Sequence, residues 1–320
     1  MNRSLRFFRI VESVRGDGAV ILLGDKGTSR TVDSRVRISY TLSMASYKAV
    51  FTDLDGTLLH EDGKISPQTQ EVLVRLRARG VPVFIATGRS VCATKAAVGG
   101  LGLDTPFICY NGTVVYDPLT SDWLRHETLD DRVAQGLIEV AHENALFYFV
   151  FHKDSKVTLP PRYPFQSDFY GRLENMRIVP RFEDLPRRSV TKVSIFTPED
   201  DGDRVVIEYL ERHGSDHYIE RFPMGSIPGF RDFTFHTTDV HARAGGKGAG
   251  MRFVMARYGL DPSEVIAIGD HRNDLSMLLE AGLAVAVGDA PPEVLAAAHR
   301  VIDHDDGEGV GRLLAEIFDL

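Results

Sequence analysis

The sequence predicts an α/β fold: a doubly wound parallel sheet that carries an inserted α+β domain. Three observations predict it. Short apolar runs alternate with amphipathic helical stretches towards both ends of the chain. Polar residues recur directly after those runs. The middle, residues 127–236, follows another grammar, with aromatic runs and proline-broken loops.

Taken in order, Ala49-Val50-Phe51-Thr52 is a short run of the kind shown by a parallel strand buried on both faces. Ser66-Pro67 opens a helix, since serine is a good N-cap and proline suits the first turn. Thr69, Val72, Leu73 and Leu76 form its inner stripe, and Gly80 stops it. Residues 81–86 read as a second strand, with Pro82 near its start, and residues 107–110 as a third. Late in the chain, 247–258 reads as a helix with Met251, Val254, Met255 and Tyr258 on one face and Gly259 at its end. A strand over 265–268, a helix over 274–281, a strand over 283–287 and a helix opened by Pro291-Pro292 follow. In the middle, 146–151 and 193–196 read as strands and 205–210 as an amphipathic helix, with loops at Pro160-Pro161 and Pro164. The expected division is an N-terminal extension over 1–44, a core domain over 45–126 and 237–320, and an inserted domain over 127–236.

The 320 residues exceed what one small core needs. A net charge of −8 argues against a uniformly basic face for nucleic acid. Two cysteines, Cys92 and Cys109, make neither a disulfide framework nor a four-thiolate zinc site, which fits a reducing cytoplasm. No apolar run approaches the ~20 residues that span a bilayer, and the N-terminus does not read as a secretory signal, so no membrane partner is expected. Residues 1–44 stand apart, with eight Lys/Arg against four acids. Three readings fit them: an upstream extension before a start at Met44, a disordered basic arm, or a small β-rich appendage. The first is favoured, and no function is assigned.

In an open parallel sheet, ligands bind beyond the carboxyl ends of the strands. The polar residues there are Asp53 and Asp55, Thr87-Gly88-Arg89, Asn111-Gly112 and Gly269-Asp270. In Asp53-Leu54-Asp55-Gly56-Thr57, two acids flank one residue where a strand ends. Carboxylates that close repel unless a cation offsets them, and Mg²⁺ needs only one or two carboxylates besides water and phosphate. The alternative is a polar strand-end turn; a calcium loop is excluded by its missing twelfth-position glutamate. Asp270 can reach the same ion, while Asp274 either orients it or caps the next helix. Lys247 lies in a glycine-rich stretch that is not a Walker A loop, since His241 stands at the first glycine position and Gly248 follows the lysine. Its ammonium suits a phosphoryl group and a nucleophilic carboxylate; the plainer reading is a solvated lysine on a mobile helix start. Thr87-Gly88 offers a hydroxyl and an amide to phosphate oxygens, or a helix cap.

Four ordered blocks resemble the haloacid dehalogenase superfamily and, within it, the Cof-type phosphatases: Asp53-Leu54-Asp55-Gly56-Thr57-Leu58-Leu59, Ala86-Thr87-Gly88-Arg89, Lys247-Gly248, and Gly269-Asp270 with Asn273-Asp274. The resemblance covers roughly residues 45–320. It implies a Rossmann-like core with a cap. It makes Asp53 the nucleophile, Asp55 the general acid and base, and Asp53, the Asp55 carbonyl and Asp270 the Mg²⁺ ligands. The Leu54 backbone, Thr87, Gly88, Lys247 and Asn273 would hold phosphoryl oxygens, with Asp274 behind them. The implied partner is a small phosphorylated metabolite such as a sugar phosphate. Three alternatives stand beside this phosphatase: a nucleic-acid binder that uses the basic 1–44 arm, a phosphomutase or phosphotransferase on the same scaffold, and a non-catalytic module that binds a phosphorylated ligand. The last is disfavoured because every candidate catalytic position is filled.

Overall fold

In the computed structural model, the described residues are 21–23, 29–31, 47–59, 63–198, 202–213, 217–227, 229–303 and 308–320. The chain forms two compact units, Met1–Ala45 and Ser46–Leu320. In the first, Ile21–Leu23 pairs antiparallel with Ser29–Thr31. The other residues of the 1–44 extension, and with them its readings as an added or disordered segment, lie outside the described residues.

The second unit starts with β1 (Ala49–Thr52), α1 (Pro67–Ala78), β2 (Val83–Ile85), α2 (Val91–Val98) and β3 (Phe107–Cys109). Two short strands follow: β4 (Val114–Tyr116) adds antiparallel to β3, and β5 (Trp123–His126) adds antiparallel to β4. The insertion comprises α3 (Asp131–Glu143), β6 (Phe147–His152), β7 (Ser155–Thr158), α4 (Pro164–Gly171), β8 (Met176–Ile178), β9 (Val190–Thr197), α5 (Arg204–Arg212), β10 (Tyr218–Pro223) and β11 (His236–His241). The chain then returns through α6 (Lys247–Tyr258), β12 (Val265–Gly269), α7 (Leu275–Leu278), β13 (Leu283–Val287), α8 (Pro292–Ala297), β14 (Arg300–Ile302) and α9 (Glu308–Phe318).

The core sheet is parallel throughout, in the order β14-β13-β12-β1-β2. Every residue of β1 is buried, as its unbroken apolar run requires. Phe51 and Phe84 stack across β1 and β2 with centroids 4.7 Å apart. The chain leaves β1 on the β2 side and comes back on the β12 side. Strand order therefore reverses beside β1, which makes its carboxyl end the topological switch point where such sheets bind ligands. Thr52 pairs with Ile268, so Asp53 lies level with Gly269 at this edge.

The inserted sheet has the order β8-β7-β6-β9-β11-β10 and is antiparallel except at β8–β7. One face buries Val150, Val193, Ile195 and Val240 against Leu137 and Ile138 of α3 and Val206 and Leu210 of α5. On the opposite face, Phe147, Phe149 and Phe196 join Phe169 of α4 in an aromatic cluster. The fold class read from the sequence is thus the one observed.

Three local expectations are corrected. Strand β11 belongs to the inserted sheet, which therefore extends to His241, past the expected limit of 236. Pro164 does not break a loop but opens α4, where its fixed φ and missing N–H suit the first turn. The helix expected over 274–281 is reduced to Leu275–Leu278 behind a 3₁₀ turn, in which the Asp274 carboxylate accepts the backbone N–H groups of Asp270 and His271. Among the described residues, no helix is long and apolar enough to cross a membrane.

Candidate active site

Asp53 follows β1 directly, and its N–H donates to the Ile268 carbonyl at 3.0 Å, tying the strand end to β12. The chain then folds into a tight loop. The N–H groups of Thr57, Leu58 and Leu59 converge on the Leu54 carbonyl at 3.3, 3.0 and 2.8 Å. Fully buried Leu54 and Leu58 anchor this loop in the core. Gly56 has φ +78°, and a Cβ there would lie 2.3 Å from Asp270 Oδ2, so only glycine lets the two loops meet. The Thr57 hydroxyl donates to Asp270 Oδ1 at 2.7 Å across that junction.

The Lys247 ammonium sits 2.7 Å from Asp53 Oδ1 and 2.6 Å from Asp274 Oδ1, with no solvent exposure. Burial alone would lower its pKa, but Asp274 and Asp53 outweigh burial and hold the ammonium above its ordinary value. The other Asp274 oxygen accepts the N–H groups of Asp270 and His271 at 3.0 and 2.9 Å, so this side chain is fully engaged in positioning. Burial raises the Asp53 carboxyl well above its ordinary range; Lys247 opposes this, and Asp274, Asp270 and Asp55 add to it. Burial and then Asp274 push Asp270 up to about 6.

Asp55 is gripped by Arg89, whose Nε and Nη2 reach its two oxygens at 2.8 and 2.5 Å. The Thr87 hydroxyl accepts the Arg89 N–H at 3.2 Å, and Gly88 packs beside Asn111. Asn273 Nδ2 donates to Asn111 Oδ1 at 3.1 Å, while Asn273 Oδ1 is buried with no hydrogen-bond partner. The structure thus brings Asp53, Asp270, Asp274 and Lys247 into direct contact or near contact. Arg89 was visible in the sequence as a strand-end residue of a family block that could reach substrate or the inserted domain, and Asn111 as a strand-end polar residue; their partners, Asp55 and Asn273, depend on tertiary packing.

The residues present fit a divalent cation. Carboxylate oxygens of Asp53, Asp270 and Asp274 lie within 4.8 Å of one another. Among the described residues, the four acids of the pocket, Asp53, Asp55, Asp270 and Asp274, have Lys247 and Arg89 as their ion-pair partners. That leaves more acids than cations in the pocket, and beside burial, which is the larger cause, the neighbouring acids help to raise Asp53 and Asp270. Hard oxygen donors at this spacing suit Mg²⁺.

The glycine-rich stretch before and within α6 has a packing role, contrary to its reading as a mobile loop. A Cβ at Gly248 would lie 2.4 Å from the Ser276 carbonyl oxygen, and one at Gly250 would lie 2.4 Å from Ile108 Cγ2. These glycines let α6 press against α7 and β3, which drives Lys247 into the pocket.

A doubly wound sheet with an acidic, lysine-bearing pocket at its switch point defines a class of hydrolase. The chain belongs to the haloacid dehalogenase-like hydrolase family, whose model matches residues 50–314. It is 28% identical to the 5-amino-6-(5-phospho-D-ribitylamino)uracil phosphatase YitU of Bacillus subtilis, over 84% of this chain and 96% of that protein. It is 29% identical to the phosphoglycolate phosphatase of Methanopyrus kandleri, over 84% of this chain and 97% of that protein. A haloacid dehalogenase-like hydrolase from Bacteroides thetaiotaomicron superposes with a TM-score of 0.73 at 26% identity, covering 85% of this chain and all of its own. The family resemblance read from the four blocks is borne out.

Proposed function

We propose that the protein is a Mg²⁺-dependent phosphatase of small phosphorylated metabolites that works through an aspartyl-phosphate on Asp53. The observation that carries this reading is the buried Asp53 carboxylate at the switch point, 2.7 Å from an enclosed ammonium. The phosphatase names of the two relatives support it.

In the first step, an Asp53 oxygen attacks phosphorus and the ester oxygen departs with a proton from Asp55. In the second, water attacks the acyl phosphate and gives its proton to Asp55, releasing inorganic phosphate and free Asp53. Lys247, Asn273, the Thr87 hydroxyl and the Gly88 and Leu54 amides hold the phosphoryl oxygens, and Asp274 holds Lys247. Asp53, the Asp55 carbonyl and Asp270 would hold Mg²⁺, which would offset the charge that develops on those oxygens. The inserted sheet acts as a cap over the pocket, and the two free cysteines suit a cytoplasmic setting.

The test is phosphate release from a panel of metabolite esters with Mg²⁺, run beside Asp53→Asn and beside enzyme in EDTA. At least one ester is expected to be hydrolysed, with kcat falling by about 10³ or more in the variant, as for loss of a nucleophile. A panel with no release above that of Asp53→Asn rejects the reading. Phosphate appearing on an added sugar instead of in solution makes the enzyme a transferase.

A further inference from the structure

On the cap face opposite α3 and α5, strand register gathers a polar group. Lys192 on β9 pairs with His241 on β11, and Ser194 with Asp239. Tyr218 on β10 pairs with the same His241, and Glu220 with the same Asp239. Side chains at alternate positions share a face, so these six stand together. This group adjoins the core pocket. Glu220 accepts a hydrogen bond from Asn111 Nδ2, and Asn111 in turn accepts one from Asn273. The Tyr218 ring packs on Gly245 and Gly246, just before Lys247, and the Lys247 charge acts on both Glu220 and Tyr218.

Within the group, the hydrogen-bonding capacity is unevenly used. The Asp239 carboxylate is taken up by Lys192 and Ser194. His241 is fully buried, yet neither ring nitrogen has a hydrogen-bond partner. Burial and then Lys192 depress its pKa to about 3, so the ring is neutral and offers one donor and one acceptor. Acceptor or donor atoms of Glu220, Asp239 and His241 lie within 4.8 Å of one another. A metal ion is disfavoured because the Lys192 ammonium already occupies Asp239. An anionic group is disfavoured because the cluster's one cation is paired and two acids face it. A hydroxyl, which both donates and accepts, matches what His241 and Glu220 leave free.

We propose that His241 and Glu220 form a hydroxyl-reading pair on the cap that selects phosphate esters of neutral, polyhydroxylated leaving groups over those of hydroxy acids. This rests on the phosphatase reading of the Asp53 pocket.

The experiment compares kcat/KM with Mg²⁺ for sorbitol 6-phosphate and 6-phosphogluconate, which differ only in a terminal hydroxymethyl or carboxylate, with p-nitrophenyl phosphate as a probe of the chemistry in the wild type. The wild type is expected to favour sorbitol 6-phosphate by about tenfold or more, and His241→Phe to shrink that ratio by about tenfold. Burial and then Asp239 push the Glu220 carboxyl up to about 7, so in an assay at about pH 8 Glu220→Gln removes a charge with little change of shape, and it is expected to raise the relative use of 6-phosphogluconate about fivefold. A damaged fold lowers both esters and leaves the ratio at its wild-type value. An unchanged ratio in both variants, or a wild type that prefers 6-phosphogluconate, overturns the proposal. Stoichiometric Zn²⁺ binding that His241→Phe abolishes overturns it in favour of a metal site. Wild-type enzyme inactive on all three esters instead overturns the phosphatase reading, and this inference with it.

Discussion

Arg89 fixes the acid that, in the proposed reaction, must first give and then take a proton. Its planar fork meets both Asp55 oxygens, a geometry lysine cannot reproduce. Arg89 reaches the reaction only through Asp55 in this arrangement, so it is a positioning residue. Arg89→Ala is expected to lower kcat about 10- to 100-fold on an alkyl phosphate, whose alkoxide must leave protonated. On p-nitrophenyl phosphate, whose phenolate leaves unaided, the loss should be much smaller. Equal losses on both esters would show that Arg89 serves binding or folding instead. A second residue-scale consequence concerns acid stability. His241, facing Lys192, Asp239, Glu220 and the Tyr218 ring, titrates near 3 when folded, against an ordinary value of 6.5. Below pH 6.5 the unfolded chain takes up a proton that the folded one refuses, so stability is whole above 6.5 and drains away as pH falls towards 3. The slope is about 1.4 kcal/mol per pH unit. Between pH 7 and 5, urea unfolding of the wild type should therefore lose about 2 kcal/mol more than unfolding of His241→Phe. Parallel losses in the two proteins would mean that the buried ring does not carry this acid sensitivity.

Helix α6 shows how an element can be legible in its limits yet not in its purpose. Its span from Lys247 to Tyr258 and its glycine stop were readable because periodicity and capping are local. The reason for its glycines was not, since only the contact with Ser276 on α7 reveals that a side chain at 248 has nowhere to go. Gly248→Ala weighs two effects of opposite sign. Alanine favours a helix by about 1 kcal/mol, while a Cβ 2.4 Å from a backbone carbonyl oxygen forces two helices apart at a cost of about 1–3 kcal/mol. The obstacle is main chain and cannot swing aside, so the clash should win. A lower melting temperature, with kcat reduced because Lys247 moves with the helix, is the expected result; a melting temperature at or above wild type would show that the helices separate freely. Strand β11 failed to show in the sequence for a related reason. His236-Thr237-Thr238-Asp239-Val240-His241 lacks an apolar alternation because one of its faces carries the polar cluster, so a strand built for a polar surface reads as a loop.

Across the whole molecule, the pocket was legible because its parts sit at strand ends, and strand ends in a parallel sheet share one rim. What the sequence could not convey is how the cap meets that rim, since docking depends on side chains with no periodic signature. The turn between β6 and β7 delivers Asp154 to the core. Its carboxylate accepts the N–H groups of Val91 and Cys92 at 2.9 and 2.8 Å and the Tyr110 hydroxyl at 2.8 Å. The two amides open α2, where N–H groups lack helical partners and a negative charge is favoured. One cap residue thereby closes the end of a core helix, beside the Arg89 that holds Asp55. Removing it in Asp154→Ala forfeits charge-assisted bonds worth about 1.5–3 kcal/mol in total, so the Val91 and Cys92 amides should exchange with deuterium roughly ten- to hundredfold faster. Amides in β1 and β12 should keep their wild-type rates, because the core sheet does not depend on the cap. KM should rise with little change in kcat if the contact sets only how often the cap is docked. Wild-type protection at Val91 and Cys92 in that variant would mean that other contacts, such as Glu220 with Asn111, hold the cap to the core, and Asp154 would be no more than a passenger at the helix end.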